Sequence, residues 1–301
     1  MQGVSLQRNE YCYAYMMVFV VFFYGLLLGS FINALVWRLY VQDGNGQGKK
    51  GKRAHRPSGR KVNYSIISGR SMCPTCKHSL AAKDLVPVFS WILLRGRCRY
   101  CQKPISIQYP LIELLTGLLF IIFYLGWPLS LSGFHLVGFG YSLVYGVFFV
   151  ALALYDAKWF LLPDRLVFPL TALVFSEVTI TSVRANSWQD FFLPLASGGI
   201  IFTLFWLIYQ FSQGRWIGGG DVKLVLALGM IAGTPLMALM VVFVASVLGT
   251  CVSIPSLLLS KKKEKRSFSS HIPFGPYLLA GCVAVMLFGE KVAAWYEASL
   301  L

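Results

Sequence analysis

The sequence predicts an all-α polytopic membrane protein of about eight transmembrane helices, with one small soluble insertion after the first. Hydrophobic residues make up 56% of the 301 and charged residues only 13%, unlike the balance of a soluble globular chain. Apolar runs of about 18 residues or more, enough to cross a ~30 Å hydrocarbon core, recur from end to end. Lys and Arg gather in a few segments between those runs.

The expected spans lie at 13–37, 110–127, 134–155, 165–183, 192–212, 222–233, 235–259 and 272–289. The first run is long and has no small-residue cleavage pattern after it, so a removable signal peptide is not expected. The sixth is short. The Gly-Thr-Pro at 233–235 permits either a tight turn between two spans or a kink within one, giving eight or seven crossings. The chain therefore divides into a first transmembrane segment (1–37), a basic and cysteine-bearing domain (38–109) and a multi-span domain (110–301).

The net charge of +15 does not point to nucleic acid. Of 27 Lys and Arg, 15 lie from Arg38 to Lys103, and five of the later ones form KKKEKR at 261–266. With the loop after the first span in the cytoplasm, eight crossings leave only Arg8, Arg184 and Lys291 outside, the asymmetry of the positive-inside rule. Anionic lipid headgroups are a secondary partner for the same charges. The orientation puts segments 156–164 and 213–222 at one face, so Asp156 and Asp221 can meet.

The insertion begins with DGNGQGKKGKRAHRPSGRK (43–61), rich in Gly and basic residues and expected to be flexible. CPTC (73–76) and CRYC (98–101) follow, 21 residues apart. Cys73, Cys76, Cys98 and Cys101 have the spacing of a structural Zn²⁺ site. LVPVFSWILL (85–94) between them offers only a small core, so the module needs a metal or disulfides to hold it. A cytoplasmic location disfavours disulfides and makes zinc the expectation. Cys12, Cys251 and Cys282 lack partner spacing and read as packing residues.

In YDAKWFLLPDRLVFPL (155–170), Asp156 ends one apolar span and Asp164 begins the next. Acids at helix ends serve as caps or face the helix dipole, which accounts well for Asp164 and is also open to Asp221. Gly218, Gly219 and Gly220, however, are a costly entrance for a cap alone. They suit an extended peptide approaching the backbone. Two carboxylates meeting at the membrane edge suit aspartyl chemistry, in which one ionised acid takes a proton from water and a protonated one donates to a carbonyl.

These residues, with GSFINALVWRLY (29–40), RSMCPTCKHSL (70–80), LVPVFSWILLRGRCRYCQKPISIQYPLIELLTG (85–117), GGGDVKL (218–224) and HIPFGPYLLAG (271–281), give the chain a resemblance to the type IV prepilin peptidases over most of its length. The resemblance implies a polytopic aspartyl protease of the bacterial inner membrane with a cytoplasm-facing site. It maps the two catalytic aspartates onto Asp156 and Asp221, with Asp164, Gly218, Gly220 and Lys223 supporting. It implies cleavage of a basic leader after glycine in type IV prepilins or type II secretion pseudopilins. It also implies N-methylation of the new terminus with S-adenosylmethionine, since members with the tetracysteine insertion are typically bifunctional. No glycine-rich nucleotide loop marks the methyl-donor site in 70–109. The chain departs from the family at 42–63, which is longer and more basic. Arg215-Trp216-Ile217 stands where an acidic residue and a methionine are common.

Other candidates have a bland reading beside the functional one. Lys223 either tunes Asp221 or is one more positive-inside charge. Glu113 either meets the leader or the methylation site, or is an interfacial acid. Glu177 reads as structural. Among the scattered histidines His78 alone is near enough to the knuckles to replace a thiolate. The rival function is a proton- or cation-coupled transporter with a regulatory zinc module. Both acids at one membrane face count against it, because transporters place their sites near the midplane.

Overall fold

The computed structural model describes residues 2–46, 71–73, 75–127, 131–260 and 273–299. Most of the basic stretch 43–61, the KKKEKR run, His55 and His271 lie outside the described residues. Those described are helical, with no strand beyond two isolated bridges. The chain forms two compact units, Met1–Leu125 and Gly126–Leu301.

The first unit holds α1 (Gln2–Gly46), a short α2 (Phe89–Leu93) and α3 (Gln108–Gly126), whose last residue falls at the division. Glycines let α1 and α3 meet closely. A Cβ on Gly25 would stand 2.7 Å from Gly117 Cα, and one on Gly29 2.7 Å from Glu113 Cα. Between lipid-solvated helices there is no hydrophobic gain in contact, so close backbone packing carries the association. Buried Asn33 adds polar ties, donating to the carbonyls of Gly29 and Tyr109.

The second unit holds α4 (Phe134–Trp159), α5 (Asp164–Ala185), α6 (Gln189–Ser212), α7 (Gly219–Ala232), α8 (Pro235–Ser260) and α9 (Gly275–Ser299). Helix α7 touches α5, α6, α8 and α9. Its Leu224, Ala227 and Leu228 are wholly enclosed, as expected of a helix that is apolar all round. The stretch 233–235 is a true break. Gly233, at φ 81°, ends α7; the Thr234 hydroxyl accepts the Met237 N–H at 3.3 Å; and Pro235 opens α8. Each residue suits its place, since glycine tolerates positive φ, threonine caps and proline fits a first turn.

Among the described residues seven helices are long and apolar enough to cross a membrane, and α7, at 14 residues, is too short to be counted with them. It runs only about 21 Å, less than a ~30 Å hydrocarbon core.

At the α6–α7 seam a Cβ on Gly229 would lie 2.7 Å from Gly198 Cα and from the Ile201 side chain. The variant Gly229→Val should force the helices apart and destabilise the protein by about 1–3 kcal/mol, read as a lower midpoint of thermal unfolding in detergent.

Candidate active site and metal centre

The second unit brings the end of α4 and the starts of α7 and α9 together. Asp156 lies in the last turn of α4 and is 6% exposed. The turn closes through Phe160, left-handed at φ 55°, whose N–H reaches the Asp156 carbonyl at 2.8 Å. Pro163 then caps α5 and puts Asp164 in its first turn, so Asp164 is not itself the N-cap.

Asp156 is held from across the fold. The Gly275 N–H, at the start of α9, donates to its Oδ2 at 3.1 Å. A Cβ on Gly275 would stand 2.6 Å from that oxygen, so only glycine leaves the carboxylate where it is. The sequence reading missed this residue. The quoted HIPFGPYLLAG motif contained it, but a helix start after Phe-Gly-Pro carries no local sign of a partner 119 residues away.

Asp221 sits three residues past the N-cap, Gly218, and is not a cap. It lies within electrostatic range of Asp156. Its Oδ2 lies beside Gly218, where a Cβ would come within 3.2 Å, while Oδ1 is enclosed and has no hydrogen-bond partner among the described residues. An enclosed carboxylate oxygen without a donor is costly and suits a functional group better than a structural one. Gly220 has a packing reason. A Cβ there would press to 2.8 Å on Leu162 Cβ, so glycine lets α7 abut the α4–α5 turn.

Lys223 pairs with Asp164. Its ammonium bridges the two Asp164 oxygens at 2.8 and 3.0 Å and sits over the Phe168 ring. The pair ties the first turns of α5 and α7 at the rim of the dyad. Glu177 accepts a hydrogen bond from the Tyr145 hydroxyl, in keeping with a structural role.

In the first unit the four cysteines meet, each offering a sulfur within 4.8 Å of the others. Cys73 Sγ and Cys101 Sγ are 3.9 Å apart, too far for a disulfide and close to the roughly 3.8 Å expected between thiolates around tetrahedral zinc. The knuckles repeat one design. Lys77 N–H reaches the Cys73 carbonyl and Gln102 N–H that of Cys98, each at 2.9 Å, with Lys77 and Gln102 left-handed at φ 59° and 58°. Although burial pushes the Cys73 thiol up, N–H groups of Cys76 and Thr75 bring it down to about 7, while Cys101, despite the Lys103 N–H, is pushed up to about 11 by desolvation and the neighbouring thiols. His78 stacks on Tyr100, with ring centroids 3.7 Å apart. The Arg99 guanidinium joins Asp84 at 2.7 Å across the module. Burial raises Asp84, but Arg99, the Ala81 N–H and the Tyr100 hydroxyl outweigh it and hold the carboxyl below its usual range. Glu113, buried on α3, accepts the Val88 N–H at 2.7 Å.

Two family descriptions match in chain order: "Bacterial Peptidase A24 N-terminal domain" over residues 23–127 and "Type IV leader peptidase family" over 143–254. The first match contains the cysteines and the second contains both aspartates. The chain is 32% identical over 292 residues to an Aeromonas hydrophila protein, covering 94% of each. It is 32% identical to one from Stutzerimonas stutzeri, covering 90% of this chain and 91% of the relative. It is 34% identical to one from Burkholderia pseudomallei strain K96243, covering 88% and 83%. All three carry the name "Prepilin leader peptidase/N-methyltransferase". No solved structure matches.

The Asp164–Lys223 pair is exposed on both sides. A double-mutant cycle with Asp164→Asn and Lys223→Met should give a coupling of no more than about 1 kcal/mol in unfolding experiments, falling further in high salt.

Proposed function

The chain belongs to the type IV leader peptidase family, a family of membrane peptidases that also methylate, and from that premise we propose that Asp156 and Asp221 cut the basic leader from type IV prepilins or pseudopilins. The cut follows a glycine at the cytoplasmic face of the inner membrane, and the new terminus is then methylated. The observations that support this are Asp156, buried and fixed by an amide, and Asp221, within electrostatic range of it at another helix end with one enclosed oxygen free of donors among the described residues.

The chemistry follows from those contacts. Gly275 N–H can only donate, so Asp156 is favoured as the acceptor and suits the ionised acid that takes a proton from water. Asp221 suits the protonated partner, its Oδ1 free to donate to the scissile carbonyl. Attack forms a tetrahedral diol, and its collapse breaks the C–N bond, with a proton passing to the leaving amine. Mutual repulsion keeps both acids from ionising together. Asp164, Lys223, Gly218 and Gly220 support the dyad by setting the first turns of α5 and α7. S-adenosylmethionine supplies the methyl group, and among the described residues of the cysteine module no glycine-rich loop marks its place. Cys73, Cys76, Cys98 and Cys101 would hold a structural Zn²⁺, supplying the cross-link that so small a core lacks.

A transport role is disfavoured by the placement of both acids in end turns, Asp156 at the C-terminal end of α4 and Asp221 at the N-terminal end of α7.

A tagged prepilin with a Lys/Arg-rich leader and a Gly-Phe junction tests the reading by mass spectrometry. Wild type should release the leader after glycine and add one methyl group, while Asp156→Asn and Asp221→Asn should each lose cleavage by about a thousandfold or more. Full cleavage by both variants would sink the dyad. Ion flux through proteoliposomes without any peptide product would transfer the case to transport. Gly275→Ala should lower kcat by about a hundredfold with little change in KM, since misplacing one reacting group by about an ångström costs that much. It should also spare methylation of a pre-cleaved substrate, which a folding defect would not. Elemental analysis of purified protein should find zinc at one per chain, lost on Cys98→Ser together with protease resistance of the 71–107 region.

A further inference from the structure

The cysteine module exposes apolar side chains where a soluble domain would hide them. Phe89, Ile92 and Leu93 occupy positions one turn apart on α2 and share a face, and Leu93 is 82% exposed. Val86 and Leu85 lead into that face, and Ile107, 68% exposed, ends the module where α3 begins. Trp91 turns the other way, donating its indole N–H to the Ile105 carbonyl and packing under Gly96. So α2 is amphipathic, with its apolar side outward.

A hydrogen bond ties the start of α2 to α3. Glu113 accepts the Val88 N–H at 2.7 Å from the sixth residue of α3, about 8 Å along that helix from Gln108. Val88 is itself in a tight turn at φ 61° and ψ −52°, closed by the Phe89 N–H on the Pro87 carbonyl at 2.6 Å. A β-branched residue at positive φ is strained, and the buried Glu113 carboxylate holds it there. The start of α2 is thus level with the second turn of a membrane-spanning helix that itself exposes Leu111, Leu114, Leu115 and Leu118. Amphipathic helices lie some 5–10 Å into a bilayer, a depth that the second turn of a spanning helix reaches. Exposed Arg95 and Arg97 follow α2 directly and match the charge of lipid phosphates.

We propose that the face formed by Val86, Phe89, Ile92 and Leu93 is a lipid-docking surface, seated at the headgroup–acyl boundary of the leaflet where α3 enters and pinned there by the Glu113–Val88 bond. The metal-binding knuckles are thereby held against the membrane rather than suspended from flexible connections.

The test uses the full-length protein in nanodiscs containing anionic lipid. A diazirine-bearing aliphatic amino acid replaces Leu93 or, separately, Phe89, with Leu118 as the lipid-facing reference. After illumination, mass spectrometry should find lipid adducts at positions 93 and 89 within about threefold of the yield at 118. Adducts of water alone at 93 and 89 would overturn the proposal. So would adducts to this chain, to a second copy or to added prepilin peptide in place of lipid.

Discussion

The candidate-site end of the second unit depends on one contact, the Gly275 amide against Asp156. Asp156 sits at the C-terminal end of α4, where the helix dipole is negative and disfavours an anion. The start of α9 supplies the compensating positive end and a directed N–H. Because a Cβ at 275 would overlap the carboxylate oxygen, the two helix ends approach only through glycine. Helix α9 also packs on α7, so the contact that fixes Asp156 belongs to the same helix that flanks Asp221.

Elsewhere in that unit, close backbone approach does what a hydrophobic core does in water. Gly198 and Gly229 join α6 to α7, and a Cβ on Gly281 would meet the Val241 carbonyl at 2.7 Å where α9 meets α8. Lipid solvates Leu as well as another helix does, so dispersion at short range and satisfied polar groups decide which helices pair. The short α7 adds a second constraint. A helix of about 21 Å cannot reach both surfaces of a ~30 Å core.

The first unit solves a different problem. Residues 71–107 bury few side chains, and their order comes from four clustered thiols, the Arg99–Asp84 pair and backbone turns. A metal held by those thiols would give a small module the rigidity that area burial cannot. The bond to Glu113 then ties that module to α3.

Much of this was legible in the sequence because it is local or compositional. Apolar run length fixed the spans, and the Gly-Thr-Pro at 233–235 held a helix stop, a cap and a first-turn proline in consecutive residues. CxxC spacing announced the cysteine cluster, and the two aspartates stood out as carboxylates at the edges of apolar segments. What only the tertiary structure decided are the pairings between distant positions. Lys223 turned to Asp164 rather than to its near neighbour Asp221, because α5 and α7 start side by side. Gly220 made room for Leu162. Gly275 met Asp156, and Glu113 met Val88, across separations that no periodicity encodes. A hydrogen bond or a missing Cβ acts over about 3 Å of space, and separation along the chain does not say which residues will come that close.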